Sequence, residues 1–303
     1  MPNSALIIGY GSIGQRHAKI MDSMKEIETV SVLSNQDNIP FQKLKSMKDI
    51  RKLDPDYIII ASPTSFHYEQ LVFLDKNVRN KKILVEKPLF DNVFDFSPVN
   101  NSVWVAYMFR FHPILQLIKK ELSDKLIWNV NIFCGSFLPD WRSGRDYRKI
   151  YSAIKELGGG VLLDLSHELD YIKWLLGYFE IDYVFNDKIS SLEITSDDLL
   201  ILNGHTKDNA QVQINLNYFT KEPVRKIIID GDDINIQADL LLGKVKIIIG
   251  EKIENYDFSD LNINEIYRME HEAILSGDSS LACTYDQGLE IMHMIDRIRN
   301  FNK

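Results

Sequence analysis

The sequence is poor in cysteine: Cys134 and Cys283 are the only two, far apart and in no CxxC arrangement. That scarcity argues against a disulfide framework and against a structural zinc site. The histidines, at 17, 67, 112, 167, 205, 271 and 293, form neither HxH nor HExxH, so no metal is expected. Positive charge is also short, since 35 Lys plus Arg face 43 Asp plus Glu for a net charge of −8. Nucleic acid and anionic membranes call for a basic face, so neither partner is expected. No apolar run approaches the ~18 residues that read as a membrane span. The opening residues lack the basic-then-apolar pattern of a secretory signal, and the expected location is the cytoplasm. No GxSxG elbow occurs, which disfavours a serine hydrolase.

What is present is an ordinary globular composition, 45% hydrophobic and 26% charged over 303 residues. At ~150 residues per domain that length suggests two domains. Residues 6–8, 29–33, 57–61, 82–85 and 103–106 read as strands buried on both faces, with helical patterns at 15–24 and 65–74 between them. Such alternation predicts a doubly wound parallel sheet. Helices are then predicted at 114–122 and 160–176. Close-spaced strand patterns follow at 182–185, 198–202, 210–218, 225–230, 234–238 and 244–249, punctuated by Asn203-Gly204 and Asp230-Gly231 as turns. Spacing this close suggests a mostly antiparallel sheet. Helices at 264–275 and 285–298 close the chain. The predicted division is a doubly wound domain, 1–112, and an α+β domain with a mostly antiparallel sheet, 113–303.

The first strand runs into Gly9-Tyr10-Gly11-Ser12-Ile13-Gly14 and then a helix. In a dinucleotide fold the first glycine makes the tight turn and the second lets backbone approach the pyrophosphate. The third lets helix pack on strand. An NAD site usually adds an acidic residue at the end of the second strand. Here Ser34 and Asn35 stand there and Asp37 comes late, so NAD(P) is expected, with a slight lean to NADP.

Downstream, Val85-Glu86-Lys87-Pro88 follows Ala61-Ser62-Pro63-Thr64-Ser65-Phe66-His67. Further on come Tyr107–Pro113 (YMFRFHP) and Gly158-Gly159-Gly160-Val161-Leu162-Leu163-Asp164-Leu165-Ser166-His167. Taken together these resemble the glucose–fructose oxidoreductase / inositol dehydrogenase (Gfo/Idh/MocA) family along essentially the whole chain. The resemblance implies an N-terminal Rossmann domain and a C-terminal domain with a large open sheet, an active site between the two, and hydride exchange between a nicotinamide and a hydroxyl or keto carbon of a sugar or sugar derivative. It implies that Lys87 sits near the reacting oxygen and that His167 acts as acid/base. Their chemistry suits those roles, because a lysine cation stabilises a developing alkoxide and a histidine takes up a proton near neutral pH. The family commonly places an Asp four residues before that histidine. Here Asp164 comes three before, close enough on a helix to orient His167 or bind a substrate hydroxyl, or simply to complement the helix N-terminus.

Other expectations are looser. Ser62, Pro63, Thr64, His67 and Glu86 are placed with the cofactor. Trp141, Arg142, Tyr147 and Arg148 lie in a loop suited to an acidic or nucleotide-activated sugar, a setting such as surface-polysaccharide biosynthesis. Arg110 and His112 either join that cleft or brace the domain crossing. Asp170 is a supporting partner of His167 or polar surface. His271 with Glu270 and Glu272 reads as a solvated helix face. The alternating stripe Val212-Ile214-Leu216-Tyr218 either pairs subunits into a homodimer or homotetramer, or is core. Rival readings keep the fold as a catalytically silent dinucleotide sensor, or as a reductase of a non-sugar substrate.

Overall fold

Short runs of Ile, Val and Leu, apolar at every position, suit strands covered on both faces, and the first part of the chain is built from them. The computed structural model describes residues 3–278 and 280–301. The chain divides into Met1–Phe111 with Asn262–Met292, and His112–Leu261 with His293–Lys303.

In the first unit, numbering elements in chain order, parallel strands Asn3–Ile8 (β1), Ile27–Leu33 (β2), Gln42–Leu44 (β3), Tyr57–Ile60 (β4), Lys82–Val85 (β5) and Ser102–Val105 (β6) share one sheet. Helices Ser12–Ser23 (α1), Ile50–Leu53 (α2) and His67–Asn77 (α3) connect them. The spatial order β6-β5-β4-β1-β2-β3 reverses direction at β1, whose neighbours are β2 and β4. That reversal is the switch point at which open α/β sheets bind ligands. Ile7, Ile58, Ile59 and Leu84 are completely buried, each contributing about 1.5–3 kcal/mol of apolar burial.

The predicted cut after residue 112 leaves out a returning segment. Asn262–Met292 carries a helix, Ile263–Ser276 (α7), and a short strand, Cys283–Thr284 (β15), back to the first unit. Otherwise β6 would leave a bare sheet edge. Cys283 and Thr284 pair antiparallel with Val105 and Trp104. Lys82 Nζ donates to the carbonyls of Ile274 and Leu275 at 2.8 and 2.7 Å, closing the last turn of α7.

The second unit contains Pro113–Glu121 (α4), Ile127–Gly135 (β7), Val161–Asp164 (α5) and His167–Leu176 (α6). Strands Phe179–Asp187 (β8), Leu199–Thr206 (β9), Gln211–Asn217 (β10), Val224–Gly231 (β11), Ile234–Asp239 (β12), Lys244–Ile249 (β13) and Lys252–Asp257 (β14) follow. The division between units falls inside the last helix, Tyr285–Asn300 (α8). The eight strands run in the order β14-β13-β12-β11-β7-β10-β9-β8. β7 and β10 are parallel and the other neighbours antiparallel, as the close spacing suggested.

Two expectations need correction, and a third is decided between its two readings. Asn203-Gly204 is not a turn but lies inside β9, where a Cβ on Gly204 would come within 2.2 Å of the Glu180 carbonyl oxygen. The predicted helix 160–176 is broken, because Leu165 (φ −100°, ψ 29°) and Ser166 separate α5 from α6. The stripe Val212, Ile214, Leu216 and Tyr218 is core, buried throughout, while Gln211 and Gln213 of the same strand point to solvent.

Candidate functional site

The glycine loop of the first unit is shaped by backbone packed on backbone. Gly9 has φ +96°, and a Cβ there would meet the Ala61 carbonyl at 2.6 Å. A Cβ on Gly14 would strike the Gly9 carbonyl oxygen at 2.2 Å. Around Gly11, by contrast, there is open space. Gly11 is the N-cap of α1, with no side chain capping the helix and no acidic residue in its first turn. Ser12 is exposed and Ile13 half-buried at this end. The free amides and helix dipole therefore present an anion site at the switch point.

Past β2, Ser34 Oγ accepts the Gln36 amide at 3.1 Å, and Gln36 Nε2 donates to the Tyr10 carbonyl at 2.9 Å. Asn35 is exposed. Lys43 Nζ donates to the Gln36 carbonyl at 2.7 Å and lies 3.7 Å from Asp37. At the end of β4, Ser62 donates to Gln70 at 2.7 Å, with Pro63 exposed and Thr64 buried. His67 is buried, its Nε2 2.9 Å from the Ser62 carbonyl and its Nδ1 3.2 Å from the carbonyls of Pro88 and Leu89. Burial holds its pKa below the usual histidine value. Its ring braces the loop after Lys87. Lys87 is half-buried and joined to Pro88 by a cis peptide. Glu86 is buried, with Oε1 2.8 Å from His17 Nε2 and Oε2 accepting the Lys87 amide at 3.1 Å. Glu270 and His271, read as a solvated face, are fully buried because α7 packs inward.

In the second unit the glycine-led segment is just as crowded. Gly159 leaves no room for a Cβ beside the Tyr151 carbonyl, 2.2 Å away, and Gly160 (φ +126°) leaves none beside Asp197 Oδ1, also at 2.2 Å. Asp197 Oδ2 accepts the Leu162 amide at the start of α5 at 3.0 Å. Asp164, at the end of α5, is buried and accepts from Tyr218 Oη at 2.6 Å. Burial, then the Asp164 charge and hydrogen bond, push the Tyr151 and Tyr218 phenols well above their usual range. Trp141 packs edge-on against Tyr218 at 5.2 Å and donates to Ser136 at 2.8 Å, while Arg142 lies over the Tyr151 ring. His167 opens α6 and is buried. Next to it, Glu168 Oε1 lies 2.8 Å from Arg225 Nε, close in distance though not aligned as a hydrogen bond. Asp170 is buried, so it is not polar surface.

The remaining predicted residues have partners within the protein. Arg110 is buried and donates to Gln287 at 2.6 Å. His112 caps α4, its Nδ1 accepting the Ile114 amide at 3.1 Å. Burial and the Arg225 charge push its pKa down to about 4. Arg148 is spent on Asp146 and Glu193, and Tyr147 Oη accepts the Glu193 amide at 3.1 Å. Burial first raises the Cys134 thiol to about 12, which removes it as a nucleophile near neutral pH. Sequence reasoning missed Tyr151 and Asp197 and saw Tyr218 only as part of an apolar stripe. Nothing in their spacing links them to Asp164. Among the described residues no group of three or more His, Cys, Asp or Glu is arranged to hold a metal ion. Nor is any helix among them long and apolar enough to cross a membrane.

A family model described as "Oxidoreductase family, NAD-binding Rossmann fold" matches residues 4–100, and its companion, "Oxidoreductase family, C-terminal alpha/beta domain", matches 140–300. The chain belongs to the Gfo/Idh/MocA oxidoreductase family. Of curated members, levoglucosan dehydrogenase of Pseudarthrobacter phenanthrenivorans is 28% identical over 138 residues, 42% of this chain and 35% of that protein. The 2,7-anhydro-N-acetylneuraminate hydratases of Escherichia coli and Mediterraneibacter gnavus are 23% and 22% identical, covering 56% and 77% of this chain. The chain spans 49% and 66% of those two proteins. Among solved Gfo/Idh/MocA-like structures, levoglucosan dehydrogenase in complex with NADH superposes with a TM-score of 0.84 at 15% identity, over 99% of this chain and 96% of that one. The WlbA dehydrogenase from Bordetella pertussis, in complex with NADH and UDP-GlcNAcA, gives 0.79 at 16%, with the same coverage. At such identities these structures establish the fold.

Proposed function

We propose that this Gfo/Idh/MocA member is a nicotinamide-dinucleotide-dependent dehydrogenase acting on the hydroxyl or keto carbon of a sugar-like substrate. The observation that carries the reading is the uncapped start of α1 at the β1/β4 switch point, where Gly11 opens onto free space. A pyrophosphate fits that donor set, with Gly9 and Gly14 holding the turn and the amides near Ser12 and Ile13 facing the anion. Bound there, the nicotinamide supplies or accepts a hydride. Ser62, Pro63 and Thr64 end the neighbouring strand and line its path; His67 and Glu86 support that wall from inside.

Lys87 steadies the developing alkoxide with its charge, and His167 takes or returns the hydroxyl proton. Asp164, tied to Tyr218, holds a substrate hydroxyl or the histidine's proton network. Trp141 and Arg142 offer a ring face and a cation for a sugar bearing a negative group. The neighbour holding UDP-GlcNAcA supports that class. For the cofactor we favour NAD: both cited structural neighbours hold NADH, and Lys43, a countercharge for a 2′-phosphate, already donates to the Gln36 carbonyl beside Asp37. The two relatives named hydratases favour a second reading, in which the substrate is transformed without net cofactor turnover.

Titration of the purified protein with NADH and NADPH, followed by nicotinamide fluorescence, tests the first reading. Micromolar binding of NADH is expected, and binding of neither form sinks it. Product analysis with an acidic-sugar panel separates the readings, since a dehydrogenase forms reduced cofactor one-for-one with product. We also place homo-oligomerisation on the outer face of the second sheet, where Phe133 (37%) and Ile228 (40%) are exposed. Sedimentation showing a dimer or tetramer at micromolar concentration is expected, and a monomer removes this assignment.

A further inference from the structure

The helical segment that carries His167 is broken just before that residue. Leu165 (φ −100°, ψ 29°) caps the end of α5, and His167 opens α6 two residues later. Two of the backbone bonds that span the break are long. The Ser166 amide meets the Leu163 carbonyl at 3.4 Å, and the Glu168 amide meets the Leu165 carbonyl at 3.3 Å. The first turn of a helix also lacks the i−4 bonds that fix later turns, and Ser166 does not cap α6 with its hydroxyl. Backbone bonding alone therefore holds this stretch loosely.

Two buried ties to the sheet straddle the weak point. Three residues before His167, Asp164 Oδ2 accepts the Tyr218 hydroxyl at 2.6 Å. One residue after it, Glu168 Oε1 lies 2.8 Å from Arg225 Nε as a close ion pair. Tyr218 follows β10 and Arg225 lies in β11, the two strands on either side of β7. Glu168 and Tyr218 are completely buried.

Both anchors are themselves fixed. Tyr218 donates its amide to the Asp198 carbonyl at 3.0 Å, and its carbonyl accepts the Leu138 amide at 2.9 Å. Arg225 stands opposite Cys134 of β7 in the antiparallel ladder. Burial, then the Asp164 charge and hydrogen bond, keep the Tyr218 phenol protonated, so it stays a donor. A buried ion pair adds little stability over an apolar pair of similar volume, but it names one partner where apolar contacts accept many.

We propose that Tyr218 and Arg225 are positioning residues: through Asp164 and Glu168 they pin the chain on both sides of His167 and so fix where its ring stands. This rests on the acid/base role given to His167 above.

The test is the rate at which diethyl pyrocarbonate modifies His167 in the full chain at neutral pH, read by peptide mass spectrometry. The half-exposed His205 of the same unit serves as internal reference. Tyr218→Phe deletes one oxygen, and the double variant Glu168→Leu/Arg225→Met exchanges the ion pair for an apolar pair. Each should speed modification of His167 relative to His205 by about fivefold, the scale of losing one net hydrogen bond. Arg225→Lys keeps a cation toward Glu168 and should restore most of the wild-type rate. Melting curves run alongside separate position from stability. A lower melting temperature with the His167 rate unchanged shows ties that serve stability alone, and overturns the proposal. An unchanged or slower rate in a variant that melts like the wild type overturns it as well. If Tyr218→Phe does not fold, the double variant decides by the same comparison. Modification needs neither cofactor nor substrate. A wild-type protein that binds no dinucleotide would sink the dehydrogenase reading and leave this result standing.

Discussion

Both units lead a helix with glycines, and the two helix starts differ in what fills them. At α1 the glycines pull backbone onto backbone and leave the helix start open, with Gly11 facing free space. At α5 the glycines make room for the protein's own groups: the carbonyls of Tyr151, Ser152 and Ile154, and the Asp197 carboxylate against Gly160. That carboxylate already accepts the Leu162 amide. One glycine cluster thus leaves open space, where we propose that a dinucleotide phosphate binds, and the other is filled from within. Glycine-rich helix starts report close approach by an anion, and the capping state tells whose anion it is.

The comparison breaks first at Gly14. Gly14→Val drives a side chain into the Gly9 backbone, which cannot yield as a flexible side chain would. NADH binding should weaken at least ~100-fold, or the first unit should fail to fold, a loss of about 3 kcal/mol or more. Fluorescence titration alongside thermal unfolding separates the two. Next in size is Lys87→Met, whose turnover should fall ~10²–10³-fold, the usual scale for losing one oxyanion-stabilising group. NADH affinity should stay within a few-fold, and retained turnover refutes the role of Lys87. Asp197→Ala sharpens the contrast, since it removes an internal cap. Stability should drop by about 0.5–2 kcal/mol in denaturant titration, with NADH affinity unchanged.

A further contrast concerns pH. With a folded pKa near 4 against an unfolded value of 6.5, His112 binds its proton less readily in the folded state. Its contribution is complete above pH 6.5 and is lost as pH falls toward 4, about 3 kcal/mol in all. His112→Asn keeps an N-cap acceptor but no titration, so its stability between pH 7 and 5 should fall less steeply than the wild type's. Parallel melting curves at the two pH values check this.

The same contrast explains what the sequence made legible. Gly9, Gly11 and Gly14 serve a local turn within six residues, so their spacing carries the message. The EKP strand end and the glycine-led helix are local as well, and they led to the family. Asp197, Tyr151 and Tyr218 meet around α5 from widely separated segments, and His17, His271 and Glu86 meet across three elements. No spacing in the chain announces such meetings. His271 misled for a physical reason: flanking glutamates suggest solvent, yet Glu270 goes inward with it. The break after Asp164 was hidden because Leu165 and Ser166 are both compatible with a helix. β14 was missed because KIENYD carries charge at the edge of the sheet, where exposed strands use it to resist pairing.

The returning segment also sets an order on synthesis. The sheet edge at β6 and the pocket around His17 are made by residue 111, but Cys283, Thr284 and His271 that complete them come much later. At ~5–20 residues per second a ribosome needs on the order of 10–30 s to bridge that gap. During that interval the nascent first unit has a bare strand and an open polar core, so the growing chain is most exposed to chaperones while its second unit is being translated.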